Sequence, residues 1–136
     1  MKATNLILVF LSFLFLNSSC NAQGKSDENN NSKYQAENVE VYYFHLTIRC
    51  VTCKTIESEA KKIVEELYNG KVAFKTYNYQ DENNAELIKK LDVKGQELFI
   101  ISKKGKIDLT REGFMYARTS PEKFKEIMKE NIDPLL

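Results

Sequence analysis

Two cysteines, Cys50 and Cys53, lie on either side of Val51-Thr52, where an apolar run passes into a helical pattern. Two intervening residues bring the sulfur atoms close enough to bond within one helical turn. A thiolate that attacks a disulfide of another molecule then has a resolving thiol beside it. The spacing therefore predicts a redox couple in which Cys50 is the exposed nucleophile. Cys53, one turn into the helix, is predicted to be the more buried resolving thiol.

The predicted position of Cys50 at the start of a helix favours its ionised form. Unpaired backbone N–H groups and the helix dipole stabilise negative charge there, so the Cys50 thiolate is expected to be stabilised relative to the thiol. Arg49 precedes the pair and Lys54 follows it, and both add positive charge that acts in the same direction. These two basic residues are therefore predicted to modulate the reactivity of the couple.

Two other interpretations of the cysteine pair stay open. Structural zinc sites need four ligands. Beyond the two cysteines, the predicted domain has one histidine, His45, and no further cysteine. The loop before Cys50 could bring His45 near the thiols as a base or a third metal ligand, although a structural role is commoner. A purely structural disulfide is less favoured, because closing so short a loop restricts the unfolded chain very little. The residue types favour redox chemistry.

The sequence around the pair predicts a strand followed by a helix. Residues 39–46 are β-branched or aromatic nearly throughout, which is typical of a strand covered on both faces. After the cysteines, apolar residues recur at helical spacing on one face: Ile56, Ala60, Ile63, Val64 and Leu67. Asn69-Gly70 is typical of a helix that ends in a left-handed residue.

Three further strands and two helices are predicted beyond this point. The strands are 71–79, 97–102 and 106–110, and the helices are a short one around 85–91 and a last one from Ser120-Pro121. Strands separated by a helix are expected to pair in parallel, and the Gly turn makes the last two antiparallel. We therefore expect an α/β domain over residues 39–136, with a four-stranded mixed sheet, flanking helices and the order β-α-β-α-β-β-α.

The charge balance argues against one class of partner. The chain has 136 residues, with 20 basic and 19 acidic side chains and a formal net charge of +1. No basic field for nucleic acid is present, so nucleic-acid binding is not expected.

The N-terminal region predicts export. Residues 1–22 are interpreted as a signal peptide, because the apolar run 6–16 is shorter than the about 20 residues that span a membrane. Cleavage after Ala22 is one expectation; the other is a lipoprotein with lipidated Cys20, since "SSC" resembles the end of a lipobox. Residues 23–38 are polar and are expected to form a flexible linker. The domain would then be periplasmic or membrane-anchored through lipid alone, where disulfides persist.

With the cysteines at the start of the first helix, this order of elements resembles the thioredoxin superfamily from about residue 39 to 132. The resemblance implies that fold, disulfide chemistry and an exposed N-terminal cysteine, here Cys50. The family commonly has Gly-Pro or Pro-His between its cysteines, where this chain has Val51-Thr52, so the redox direction stays open. It also has a cis-proline before the third strand, and aligning "DVKGQELFII" with "V-x-G-x-P-T" places Glu97 there. We expect the peptide bond before Glu97 to be trans. If the Glu97 carboxylate lies near Cys50, its negative charge would oppose ionisation of the Cys50 thiol.

More narrowly, "YYFH…RCVTCKTIE" with "VKGQELFII" resembles small exported thioredoxin-like proteins of Bacteroidetes labelled the ArsF family. That label connects them with arsenic-resistance clusters and with a nitrophenyl-compound nitroreductase, of which they are called a subunit. The chain has no phosphate-cradling Gly-rich loop and is small for a flavin site, so no cofactor is expected. Electrons would pass to a membrane or periplasmic redox partner protein. The alternative hypothesis is a binding module in which reduced Cys50 and Cys53, with His45, chelate a soft metal or trivalent arsenic.

Overall fold

The computed structural model describes residues 37–136. The predicted signal peptide, the lipidation of Cys20 and the linker up to residue 36 lie outside the described residues. Within residues 37–136, no helix combines the length and the apolar character needed to cross a bilayer.

The described chain forms four strands and four α-helices. In chain order these are β1 (Glu40–His45), α1 (Val51–Tyr68), β2 (Ala73–Asn78), α2 (Ala85–Leu91), β3 (Glu97–Ser102), β4 (Gly105–Asp108), α3 (Thr110–Tyr116) and α4 (Pro121–Ile132), with short 3-10 turns at Glu82–Asn84 and Asp133–Leu135. The predicted order is confirmed with one addition, since α3 was not expected. Residues 109 and 110, predicted as the end of the fourth strand, instead lead into that helix.

The sheet has the strand order β2-β1-β3-β4. β1 and β2 are parallel, whereas β3 is antiparallel to β1 and β4 is antiparallel to β3. Parallel pairing of helix-separated strands was therefore correct for β1 and β2 and wrong for β3. The 18-residue α1 is about 27 Å long and can return the chain along the sheet, whereas the 7-residue α2 is only about 10 Å long. The α/β, thioredoxin-like fold predicted from the sequence is confirmed by this topology.

β1 is buried on both faces, as its sequence predicted, and separates two hydrophobic clusters. Val41 and Tyr43 point into the cluster formed with α1 and α4, which also contains Ile56, Ala60, Ile63, Val64, Phe124, Met128 and Ile132. Tyr42 and Phe44 point into the smaller cluster on the opposite face, which also contains Leu91, Val93, Phe99 and Ile101. The strand that leads to the cysteines is therefore fixed from both sides.

The additional helix α3 packs against the first part of α1. A Cβ atom added to Gly113 would lie 3.1 Å from Cγ2 of Ile56, so a glycine permits the close approach of the two helices. The Thr110 hydroxyl accepts a hydrogen bond from the backbone N–H of Leu98 at 3.0 Å, which ties the start of α3 to β3. A seven-residue helix with a central glycine carries a weak helical pattern, which explains why the sequence did not predict it.

Candidate redox site

Cys50 and Cys53 are joined by a disulfide, with their Cα atoms 5.1 Å apart. Cys50 is exposed at the surface, whereas only 6% of Cys53 is accessible. The spacing therefore brings the two sulfur atoms together as the sequence predicted. The difference in exposure is the one that the predicted roles of nucleophile and resolving thiol require; the roles themselves stay predictions.

Cys50 is the N-cap residue of α1. Its backbone is extended, with φ −72° and ψ 168°, and its Sγ accepts a hydrogen bond from the N–H of Cys53 at 3.2 Å. Ser, Thr, Asp or Asn usually occupies this position, because a side-chain acceptor satisfies a free N–H group of the first turn. The first turn of α1 also contains no acidic residue. After reduction, the same N–H and the helix dipole will favour negative charge on the Cys50 sulfur.

The two basic neighbours of the pair differ in their surroundings. Arg49 is half-buried and forms a salt bridge with Glu57 in the second turn of α1, so its charge is largely balanced. Lys54 is exposed, and solvent screens its effect on the cysteines. The Arg49–Glu57 pair also fixes the loop before Cys50 to the helix that follows it.

His45, at the end of β1, is bound to backbone rather than to the cysteines. Its Nδ1 lies 3.0 Å from the carbonyl oxygen of Leu46, and its own carbonyl accepts a hydrogen bond from the N–H of Tyr79 at 2.8 Å. Within residues 37–136, no three His, Cys, Asp or Glu side chains are grouped so that they could hold a metal ion. Binding of a metal or metalloid would therefore depend on the two sulfur atoms.

Glu97 lies on the face of the sheet opposite to α1. It is paired with Phe44 and alternates with Phe99, and both aromatic rings belong to the cluster beneath α2. The N–H of Lys94 donates to its carboxylate at 3.2 Å. No cis peptide bond occurs in the described part of the chain, so the bond before Glu97 is trans, as expected. The position that the sequence alignment linked to the thiols thus carries a carboxylate directed away from their helix.

The pKa of Glu97 is raised, chiefly because burial removes water from the carboxylate. The folded chain therefore holds this proton more tightly than the unfolded chain. The stability that Glu97 contributes is fully present below the unfolded-state pKa and is lost as the pH rises through the raised folded-state pKa. Glu97→Gln should therefore become progressively more stable than the wild type over this pH range, with a modest gain because the side chain is half exposed. Urea unfolding of both proteins across the acidic range will measure the difference, and a difference of opposite sign would contradict the burial argument.

Two further residues beside the cysteine pair, Tyr43 and Gln96, were not predicted from the sequence. The hydroxyl of Tyr43 donates to the carbonyl oxygen of Cys53 at 2.8 Å and accepts a hydrogen bond from Nε2 of Gln96. In the sequence Tyr43 looks like one more apolar strand residue. The signal that could have found it is general, because a buried tyrosine hydroxyl needs a hydrogen-bond partner. Its partner could not be predicted, since Gln96 is far away in the chain.

No protein-family model matches the chain, and no curated protein matches it. Among the solved structures that it resembles is thioredoxin f2 of Chlamydomonas reinhardtii, with 22% identity, a TM-score of 0.48 and coverage of 74% of this chain and 84% of that chain. An uncharacterized thioredoxin-like protein from Clostridium perfringens has 18% identity and a TM-score of 0.39, covering 62% of this chain and 73% of its own. A malarial protein has 22% identity and a TM-score of 0.41, with coverage of 54% of this chain and 76% of the malarial chain. Thioredoxin-like proteins are thus among these distant likenesses, while the strand order and pairing of the chain itself define its fold.

Proposed function

We propose that this protein is a thiol-disulfide oxidoreductase or electron-transfer subunit that works through Cys50 and Cys53. The observation that carries the proposal is the disulfide across the first turn of α1, with one exposed and one buried cysteine. A sulfur atom that another molecule must attack has to be accessible, and Cys50 is. A sulfur atom that only resolves the intermediate needs to reach Cys50 alone, and Cys53 is bonded to it.

The reaction is a transfer of two electrons between dithiols and disulfides. In the oxidising direction, a substrate thiolate attacks Sγ of Cys50, and Cys53 leaves as a thiolate. A second substrate thiolate then attacks the substrate sulfur of the mixed disulfide, and Cys50 leaves as a thiolate. The substrate gains one disulfide, and the protein receives two electrons from the substrate and takes up two protons as its thiols form. The reducing direction follows the same steps in reverse.

A protein partner suits the surface next to Cys50. Ile48 and Val51 are apolar, are 89% and 70% exposed, and lie two residues before and one residue after this cysteine in the chain. Exposed apolar side chains of this kind are commonly covered by a partner. Following the export predicted from residues 1–22, we propose that this partner is a membrane or periplasmic redox protein that renews the Cys50–Cys53 couple.

The proposal is tested by thiol–disulfide exchange with a small peptide that contains two cysteines. The wild-type protein should accelerate oxidation or reduction of the peptide well beyond the rate with glutathione alone, and Cys50→Ser should abolish this acceleration. Reduced protein whose thiols have been alkylated is the control for effects of the fold alone. No acceleration in either direction, with a disulfide that resists dithiothreitol in the folded protein, would indicate an inert structural bond and overturn the proposal.

The competing proposal is a thiol-based binding module for arsenite or a soft metal, linked to arsenic or nitroaromatic detoxification as the ArsF likeness suggested. The adjacent sulfur atoms favour it, while the absence of a three-ligand group within residues 37–136 does not. Calorimetric titration of the reduced protein with arsenite or zinc separates the two. Heat that disappears after thiol alkylation, without any exchange activity, would favour the binding module.

A further inference from the structure

The hydroxyl of Tyr43 connects three parts of the fold beside the disulfide. Tyr43 belongs to β1, and its hydroxyl donates to the backbone carbonyl of Cys53 in α1 at 2.8 Å. Gln96, in the segment just before β3, donates to the same hydroxyl through Nε2. A chain of two hydrogen bonds thus runs from Gln96 through Tyr43 to the residue predicted to resolve mixed disulfides.

These groups are arranged so that each polar atom is directed. Tyr43 is only 1% exposed and packs among the side chains of α1 and α4, so its ring cannot move without disturbing the core. The side chain of Gln96 is half-buried and donates to this hydroxyl. With one donor supplied by Gln96, the hydroxyl proton of Tyr43 is directed at Cys53. The carbonyl of Cys53 is therefore held at a fixed height above the sheet.

We propose that Tyr43 and Gln96 are positioning residues that hold Cys53 in the place from which its sulfur closes the disulfide. This proposal rests on the proposed oxidoreductase function. The hydrogen bond to Cys53 is present in the disulfide-bonded state, so it stabilises that state directly. The proposal requires that this bond loses part of its strength when the disulfide opens and the first turn of α1 relaxes.

The Tyr43 hydroxyl does not lose its proton at neutral pH. Burial raises the pKa of Tyr43 to about 12; the hydrogen bond from Gln96 and the charge of Arg49 lower it by smaller amounts, and the charge of Glu57 raises it further. The hydroxyl therefore keeps its proton and remains a donor to Cys53 throughout the neutral range. Tyr43 accordingly has no role as a general base, and its contribution is geometric.

The geometric contribution can be measured as an equilibrium. Reduced protein and glutathione disulfide react to give the protein disulfide and two molecules of reduced glutathione, so two electrons pass from the protein to glutathione. Cys50 first forms a mixed disulfide and releases one glutathione thiolate. Cys53 then attacks Cys50 and releases the second. The equilibrium constant reports how favourably Cys53 is placed, because the closing step is intramolecular.

We expect Tyr43→Phe to lower this equilibrium constant about two- to fivefold, which is part of the factor of up to about tenfold that one ordinary hydrogen bond supplies. The ring remains to fill the core, so only the hydroxyl is lost. A tenfold change corresponds to a shift of about 30 mV toward a more oxidising reduction potential. The mixed disulfide with glutathione should persist longer by a similar factor.

Tyr68→Phe is the matched control. Tyr68 is also buried, at 6% exposure, lies in the same hydrophobic cluster and donates its hydroxyl to Asp133 at 2.9 Å. It sits at the far end of α1 from the cysteines. The variant should lose stability equally in both redox forms and leave the equilibrium constant unchanged, because equal losses cancel in the thermodynamic cycle.

Gln96→Leu tests the outer member of the chain and serves as the deciding variant if Tyr43→Phe does not fold. It should shift the equilibrium constant in the same direction by a smaller factor, because the Tyr43 hydroxyl keeps its acceptor but loses the group that directs it. In the double variant the two shifts should be less than additive, as expected for groups that act as a unit.

An unchanged equilibrium constant in Tyr43→Phe, with equal loss of stability in the oxidised and reduced proteins, would make the bond merely structural and overturn the inference. If Tyr43→Phe does not fold, an unchanged constant in Gln96→Leu has the same consequence. Failure of the proposed function is distinguishable, because the wild-type protein would then not accelerate exchange of the two-cysteine peptide, which is measured separately from the equilibrium with glutathione.

Discussion

Cys53→Ser protein is expected to accumulate a stable mixed disulfide on Cys50, whereas Cys50→Ser protein is expected to accumulate very little. Cys50 is exposed and can be attacked or can attack, while Cys53 is 6% exposed and sheltered in the first turn of α1. Without Cys53, the mixed disulfide loses an intramolecular attacking group, whose effective concentration in well-oriented systems reaches about 10⁵–10⁸ M. Release must then wait for external thiols, so the intermediate should persist by orders of magnitude longer.

The measurement is the yield of mixed disulfide after incubation of each reduced variant with glutathione disulfide, resolved by mass spectrometry of the intact protein. Both variants carry one serine in place of one cysteine of the pair, so each is the matched control for the other. Equal yields in the two variants would contradict the assignment of roles and would mean that the sheltered position of Cys53 does not protect it.

Phe124→Ala is expected to cost about 3–5 kcal/mol of unfolding free energy, a large share of the roughly 5–15 kcal/mol typical of a domain. Phe124 lies in α4 with no measurable exposure, packed in the cluster shared by α1 and β1. Truncation leaves a cavity beneath the helix that carries the cysteines. For a domain of about 100 residues, the thermal midpoint should fall by at least about 12 °C.

Thermal and urea unfolding of the oxidised protein will measure this loss. Phe114→Ala is the matched control, because Phe114 is 44% exposed on α3 and the same truncation there should change stability by only about 0.5 kcal/mol. A cost below about 1 kcal/mol for Phe124→Ala would mean that the core closes around the truncated side chain more readily than buried aromatic residues usually permit.

Features that depend on a few neighbouring residues could be predicted from the sequence. Asn69 and Gly70 end α1 with φ angles of 41° and 86°, as the Asn-Gly pair predicted. The start of α1 at Cys50 was predictable in the same way, because only the local change from strand-like to helical spacing of apolar residues is needed to locate it. Helix α3 was missed for the opposite reason. Its own helical pattern is weak, and its packing against α1 brings Gly113 close to Ile56, a contact that no short-range pattern reveals.

The site was predictable in its chemistry and less so in its surroundings. The cysteines, their spacing and their unequal exposure follow from the strand-to-helix junction. The surroundings depend on which face of β3 each residue occupies. A shift of one residue along a strand moves a side chain to the other face of the sheet. The alignment indicated Glu97, whereas its neighbour Gln96 is the residue that reaches Tyr43. The salt bridge of Arg49 to Glu57 likewise required the course of the loop to be known.

The two ends of the described chain lie close together at the end of the sheet where β1 begins, which is remote from the disulfide. Glu37 and Leu136 line one shallow depression there, and Lys104 in the β3–β4 turn donates to the carbonyl of Pro134 at 2.8 Å. The six residues of β1 span about 20 Å between that end of the sheet and the loop that carries Cys50. A fusion partner, an affinity tag or a solid support joined at Glu37 or at Leu136 will therefore lie away from the disulfide, so the described domain is suited to immobilisation with its chemistry accessible.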